Sequence, residues 1–230
     1  MRGVLILNNS VSNSDKIKET RSRLISKLLP YLRKNGLQSV RMDEIARVTE
    51  VSRATLYKYF STKEEIIGYI VEGFVTYMTE QLASSPPESE ESFGIRFQQM
   101  FEQSVSLTVY FTEIFLKDLE TSYPEWYSRF NEGMQQREEQ ILAYYQEGIR
   151  RGLFHDLNGK ILIMQDELLR GMLNVKYLMT NQLTVEQVLT DYYQLKKIQL
   201  FKPDKLSAID DAQMKPRIEH LTHKVTSSLF

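Results

Sequence analysis

The chain has 230 residues, 42% of them hydrophobic, enough for one sizeable core or two modest ones, and its lack of cysteine excludes disulfides, thiolate zinc ligands and a cysteine nucleophile. Its net charge of -1 hides a division: residues 1–63 carry thirteen Lys and Arg against five Asp and Glu, a balance of +8, and subtraction from the totals of 29 and 30 leaves sixteen against twenty-five, or -9, beyond them. One end therefore suits a polyanionic partner and the other does not.

Arg2 precedes only the short apolar run Val4 to Leu7, too brief for a signal-peptide core or a bilayer span, so neither export nor a membrane span is expected and a cytoplasmic setting is. From residue 15 onward the hydrophobic spacing is helical, with no alternating β-branched runs, which predicts an all-α protein. A first helix is capped by Ser14 or Asp15, places Ile17, Leu24, Ile25, Leu28 and Leu32 on one face, contains Pro30, and stops at Gly36. Met42, Ile45 and Ala46 mark a short second helix. Ser52 caps a third, in which Val51 and Leu56 have the spacing of a hydrophobic staple. A fourth helix opens on the capping box Thr62-Lys63-Glu64-Glu65 and extends to about Leu82.

Ser84 to Ser92, with Pro86 and Pro87, reads as a linker or loop. Phe93, Phe97 and Phe101 then recur at helical spacing, followed by Phe111 and Phe115. Pro124 interrupts the pattern before a helix carrying Ile141, Tyr144 and Tyr145, which Gly152 ends. Two further helices, Leu157 to about Met179 and Val185 to Leu200, are joined by the polar turn Thr180 to Thr184 as a hairpin. Beyond Pro203, an amphipathic segment runs from Asp210 to Leu229 despite Pro216.

The segment Arg41 to Phe60, two short helices meeting across a tight turn, carries the chemistry. Gly36, Ile45-Ala46, Val51-Ser52, Thr55-Leu56-Tyr57, Tyr59-Phe60 and Lys63-Glu64 together resemble the DNA-binding domain of the tetracycline-repressor (TetR) family of bacterial regulators, over roughly residues 15–70. The resemblance implies a helix-turn-helix domain at 15–63 after a tail at 1–14, a helical effector-binding and dimerisation domain at 64–200, and a helical extension at 201–230. It implies repression, with release by a small-molecule effector.

A recognition helix entering the major groove end-on places Arg53, Ala54 and Thr55 near base edges, with Arg53 the guanine reader and the cap Ser52 also on the DNA-binding side. Tyr57, Lys58, Tyr59, Arg41 and Lys63 are placed to hold phosphates, while Leu56 and Phe60, four apart, face inward. Three positions depart from the family pattern. Glu50 stands where the turn has glycine, which puts a non-glycine residue in a left-handed conformation, Ala54 replaces another glycine, and Arg41 replaces a capping hydroxyl.

For an effector, Phe97, Phe101, Phe115, Trp126, Tyr144 and Met172 are candidate lining residues, with Glu113, Asp118, Glu167 or Arg170 as polar anchors. The same aromatic stripes also fit plain core packing. One recognition helix contacts too few bases for selectivity, so a homodimer on a palindromic duplex is expected. Its interface is sought on the hairpin at Leu162, Leu169, Leu173, Leu189 and Tyr193, residues that equally fit their own chain's core.

Catalysis lacks support: there is no G-x-S-x-G, P-loop or dinucleotide fingerprint, and His220 and His223 lack the glutamate of a metalloprotease helix, so no enzyme, cofactor or metal is expected. The competing class is a helical protein-interaction module that keeps the fold without specific DNA recognition.

Overall fold

The computed structural model describes residues 13–80 and 87–229, which form eleven α-helices and one 3-10 helix; residues 1–12 of the tail expected at 1–14, Leu82, and Ser84 to Pro86 lie outside the described residues. No strand occurs among them, only an isolated antiparallel bridge between Phe154 and Phe201.

Helix α1 (Asn13–Asn35) already includes Ser14 and Asp15, so neither caps it, and Ile17 stays exposed while Leu24, Ile25, Leu28 and Leu32 are buried. Pro30 lies inside it. Gly36 ends the helix with φ 76°, its amide donating to the Leu32 carbonyl at 2.8 Å. Helices α2 (Met42–Val48) and α3 (Arg53–Tyr59) follow, then α4 (Lys63–Glu80). At the α4 start the Thr62 hydroxyl accepts from the Glu65 amide at 3.1 Å, but the Glu65 carboxylate reaches back to the Ser61 amide rather than to Thr62.

The presumed linker ends earlier than its serines suggest. Ser89 and Ser92 cap each other reciprocally, so helix α5 (Glu90–Tyr110) begins inside that stretch. Thr112 caps α6 (Glu113–Ser122), and Pro124 sits at the first position of α7 (Pro124–Arg150), where its missing amide costs nothing. The helix expected from Leu157 to Met179 is two. The Asn174 side chain accepts from the amides of Lys176 and Tyr177, ending α8 (Gly159–Met172) and starting α9 (Val175–Asn181). Gln182 turns left-handed before α10 (Val185–Leu200), capped reciprocally by Thr184 and Gln187. The 3-10 helix Pro203–Ala208 and α11 (Asp211–Leu229) complete the chain.

The apolar side chains divide into two cores. A proximal core joins α1–α4 with Leu107, Phe111, Phe115, Leu119 and Phe130, so the first helices are seated on parts of α5, α6 and α7. A distal core gathers the start and middle of α5 with α7, α8, α10 and α11. Helix α4 packs along α7, and Trp126 lies against Gly68, where any Cβ would strike the indole.

Candidate nucleic-acid interface

The geometry of α3 follows from local chemistry. The Ser52 hydroxyl accepts from the Thr55 amide at 3.1 Å and lies 2.8 Å from the Thr55 hydroxyl, which fixes the helix start. Leu56 and Phe60 are buried at 1% exposure, anchoring one face, and Arg21 of α1 stacks over the Phe60 ring at 4.9 Å. The opposite face therefore points outward: Ser52, Arg53, Ala54, Tyr57 and Lys58 are exposed, Thr55 and Tyr59 half-buried. Seven residues give about 10 Å of helix, a length that fits the width of a major groove.

The turn before α3 is held tightly. Glu50 adopts φ 58°, the strained conformation anticipated for it, and pairs with Lys27 of α1. The buried Thr49 hydroxyl donates to the Ile45 carbonyl at 2.7 Å, and the Val51 amide donates to that of Ala46 at 3.0 Å. Arg41 precedes α2 without a side-chain cap and is exposed.

Acidic residues around the helix-turn-helix are taken up internally. Asp43 holds Arg53 through Nε at 2.7 Å, Glu44 receives Arg47 and the Tyr31 hydroxyl, and Glu65 pairs with Arg21 at 2.6 Å. Arg41 and Lys58 have no carboxylate partner among the described residues. Arg53, the proposed base reader, thus starts out paired across the turn. Both partners are more than 60% exposed, so the pair is weak, about 0–1 kcal/mol, and easily exchanged for a stronger ligand. Asp43 was missed in the sequence because nothing links residues ten apart until the turn folds.

Lys63 is placed differently from the expectation of a phosphate contact. It is half-buried, donates to the Gln38 carbonyl at 3.3 Å and lies 6.0 Å from the Tyr123 ring. Burial pushes its pKa down, against the nearby Asp118 charge. Its ammonium serves the seam between the first helices and α6–α7.

Asp118, considered an effector anchor, belongs to that same seam. It is 9% exposed, and one carboxylate oxygen accepts from the amides of Leu37 at 2.7 Å and Gln38 at 3.1 Å, pinning the α1–α2 loop to α6. Gln38 also donates to the Thr121 hydroxyl at 3.1 Å, and the Thr112 hydroxyl to the Arg33 carbonyl at 3.1 Å. Gly36 is required twice here, for its positive φ and because a Cβ would collide with the Asp118 carboxylate.

The candidate effector residues do not share one cavity. Phe115 and Trp126 belong with the proximal core, while Phe97, Phe101, Tyr144 and Met172 lie in or against the distal one. Phe97 and Phe101 line a void of only about 20 Å³ beside Tyr145, Asp166 and Lys196. Lys196 bonds Asp166 at 3.0 Å there, and Tyr192 donates to the same oxygen at 3.0 Å. Glu113 and Glu167 are exposed; Glu167 pairs with Arg170 at 3.9 Å.

The hairpin residues sought for a dimer face inward. Leu162, Leu169, Leu173, Leu189 and Tyr193 are all at most 5% exposed within their own chain, because they lie on the stripe that closes the distal core. The outward apolar stripe is a different one: Ile161 60%, Met164 70% and Leu168 63% exposed on α8, with Leu195 50% and Ile198 58% on α10. Periodicity could reveal two apolar stripes on these helices but not which one the chain covers itself. No helix among the described residues is long and apolar enough to cross a membrane.

Comparison with known proteins agrees with this geometry. Residues 31–70 match the family described as bacterial regulatory proteins, tetR family. A 67-residue stretch is 31% identical to the HTH-type transcriptional repressor KstR of Mycolicibacterium smegmatis, covering 29% of this chain and a third (33%) of that repressor's length. The fold is similar to the ketosteroid transcriptional regulator KstR2 of Mycobacterium tuberculosis (TM-score 0.55, 17% identity, 80% of this chain and 95% of that one). It is likewise similar to a TetR-family regulator from Marinobacter aquaeolei (TM-score 0.56, 18% identity, 90% and 98%) and to a regulator from Saccharomonospora viridis solved with choline (0.54, 16%, 80% and 99%). Residues 31–70 thus match the tetR family's helix-turn-helix region, the matched stretch spans about a third of the curated repressor's length, and the all-helical fold of the chain is similar to that of these solved regulators.

Proposed function

We propose that this protein is a homodimeric transcriptional repressor that reads a palindromic operator in double-stranded DNA and leaves it when a small, apolar or aromatic effector binds. The observation that carries the reading is the split of α3: Leu56 and Phe60 are sealed in the core while Arg53, Ala54, Tyr57 and Lys58 face outward from a fixed helix start. Arg53 and Thr55 read base edges; Arg41, Tyr57, Lys58 and Tyr59 hold the backbone. The exposed stripe on α8 and α10 supports pairing of two copies, which would place two recognition helices on successive turns of one DNA face. The cytoplasm is the matching compartment.

An effector in the distal core must open it, since about 20 Å³ holds little more than one water. Phe97 and Phe101 would supply the apolar wall there and Lys196 with Asp166 the polar groups. Selection of purified protein against random-sequence duplex pools across a salt series tests the reading. Recovery of an inverted repeat, with affinity falling steeply as salt rises, supports it. Absence of enrichment at every salt concentration would favour the protein-interaction module instead.

A further inference from the structure

One sizeable cavity of the described residues lies away from both the α3 face and the distal core. A crevice of about 840 Å³ opens between α1, α4, α5 and α11, within the size range of small-molecule sites. Its floor and walls are apolar, with Ile25 and Leu29 from α1, Ile70 and Phe74 from α4, and Leu221 from α11. Gly73 lies on it: a Cβ there would meet nothing within 4 Å.

The charges around this crevice are unequal. Its two carboxylates are already neutralised, Glu72 by Arg129 at 2.8 Å and Glu102 by Arg217 at 3.1 Å. Its two lysines, Lys18 and Lys224, have no carboxylate partner among the described residues. Lys224 donates to the Ser106 hydroxyl at 3.1 Å and sits 4.5 Å from the Tyr110 ring, so its ammonium is oriented at the crevice wall. An apolar trough with surplus positive charge at its edge matches a molecule with a hydrocarbon body and an anionic head.

We propose that this crevice is a binding site for an amphipathic anion, such as a medium-chain carboxylate, with its chain against Ile25, Ile70 and Phe74 and its head at Lys224 and Lys18. The ligand would bridge α1 of the helix-turn-helix unit and the following α4 to α11, giving α11 a task. Binding itself does not depend on the DNA reading, and it is measured without DNA.

The test is calorimetric titration of the full chain with dodecanoate below its micelle concentration, against dodecyltrimethylammonium as the oppositely charged control. The expected result is one saturable dodecanoate site per chain, with the cation at least tenfold weaker. Gly73→Leu, which fills the trough and favours the helix, is expected to weaken dodecanoate at least tenfold, and Lys224→Gln about fivefold. Thr76→Phe, on the same wall, repeats the blocking test should Gly73→Leu disturb the far-ultraviolet circular dichroism. Absence of saturable binding, equal binding of the cation, or an affinity unchanged in the blocking variants would overturn the proposal.

Discussion

Replacing Asp118 with alanine tests the seam between the helix-turn-helix unit and the rest of the chain. The substitution removes the acceptor of two amides, those of Leu37 at 2.7 Å and Gln38 at 3.1 Å, at a site where Leu37 is fully buried. A hydrogen bond to a charged group contributes about 1.5–3 kcal/mol, and a buried amide left unpaired costs about 1–3 kcal/mol. Gln38 is exposed and water can satisfy its amide, so the expected loss is about 3–4 kcal/mol rather than the sum of both maxima. Asp118→Asn, which keeps a neutral acceptor, should lose roughly half as much. Gly36 provides the internal control. Gly36→Ala alone meets both the left-handed backbone cost, about 1–2 kcal/mol, and the carboxylate. In the Asp118→Ala background the carboxylate clash is gone and the backbone cost and the tight approach to Ile114, 3.1 Å from the added Cβ, remain, so the two changes should be non-additive by more than about 1 kcal/mol. Urea unfolding measures this by circular dichroism and by the fluorescence of Trp126, the single tryptophan, which packs on Gly68 of α4. A loss under about 0.5 kcal/mol for Asp118→Ala, or strict additivity, would refute the seam as described.

Arg53→Ala is expected to weaken operator binding by about 1–3 kcal/mol and relax base preference, whereas Asp43→Ala, which frees Arg53, should tighten it by up to about 1 kcal/mol; fluorescence anisotropy with labelled duplex checks both, and equal loss in the two would contradict the pairing. Leu168→Lys, on the outward stripe of α8, should leave the circular dichroism unchanged and convert the proposed dimer to monomer in light scattering, while a persistent dimer would move the interface elsewhere. Asp211 supplies a pH dependence. Burial alone would raise its pKa, but hydrogen bonds from Lys197, Tyr193 and Gln194 outweigh this and hold it below the usual value. Its stabilisation is therefore complete above the unfolded carboxylate pKa, about 3.9, and is lost as pH falls through the lower folded value. Because Asp211 is partly exposed, Asp211→Asn should lower the melting temperature at pH 7 by only about 2–4 °C, a gap that closes as pH falls below the folded value; a gap constant with pH would refute the assignment.

Most of the helical framework was legible in the sequence because its signals are local. Gly36, Ser52, Pro124, Gly152 and Thr184 each act within one turn of their own backbone, and the structure uses each at a helix end. The inward turn of Leu56 and Phe60 follows from helical periodicity in the same way. The misplaced boundaries were also local, but ambiguous. Ser89 and Ser92 are a linker by composition and a reciprocal cap by geometry, and Asn174 within an apolar-striped segment gave no warning that its side chain would satisfy the amides of a new helix.

What only the tertiary structure decided is which surfaces meet. Leu169 and Leu168 are neighbours of the same type, yet one closes the core and the other faces solvent, a distinction set by where α5 and α7 lie. Phe115 and Phe97 look alike in the sequence and end in different cores. Asp118 became a pin because folding brings α6 within reach of amides some eighty residues earlier, and Arg53 met Asp43 because a four-residue turn folds α3 back toward α2. Backbone hydrogen bonding and periodicity act over a few residues and are written along the chain. Charge pairing, burial and cavity shape depend on distances in space, which no run of residues encodes until the helices have packed.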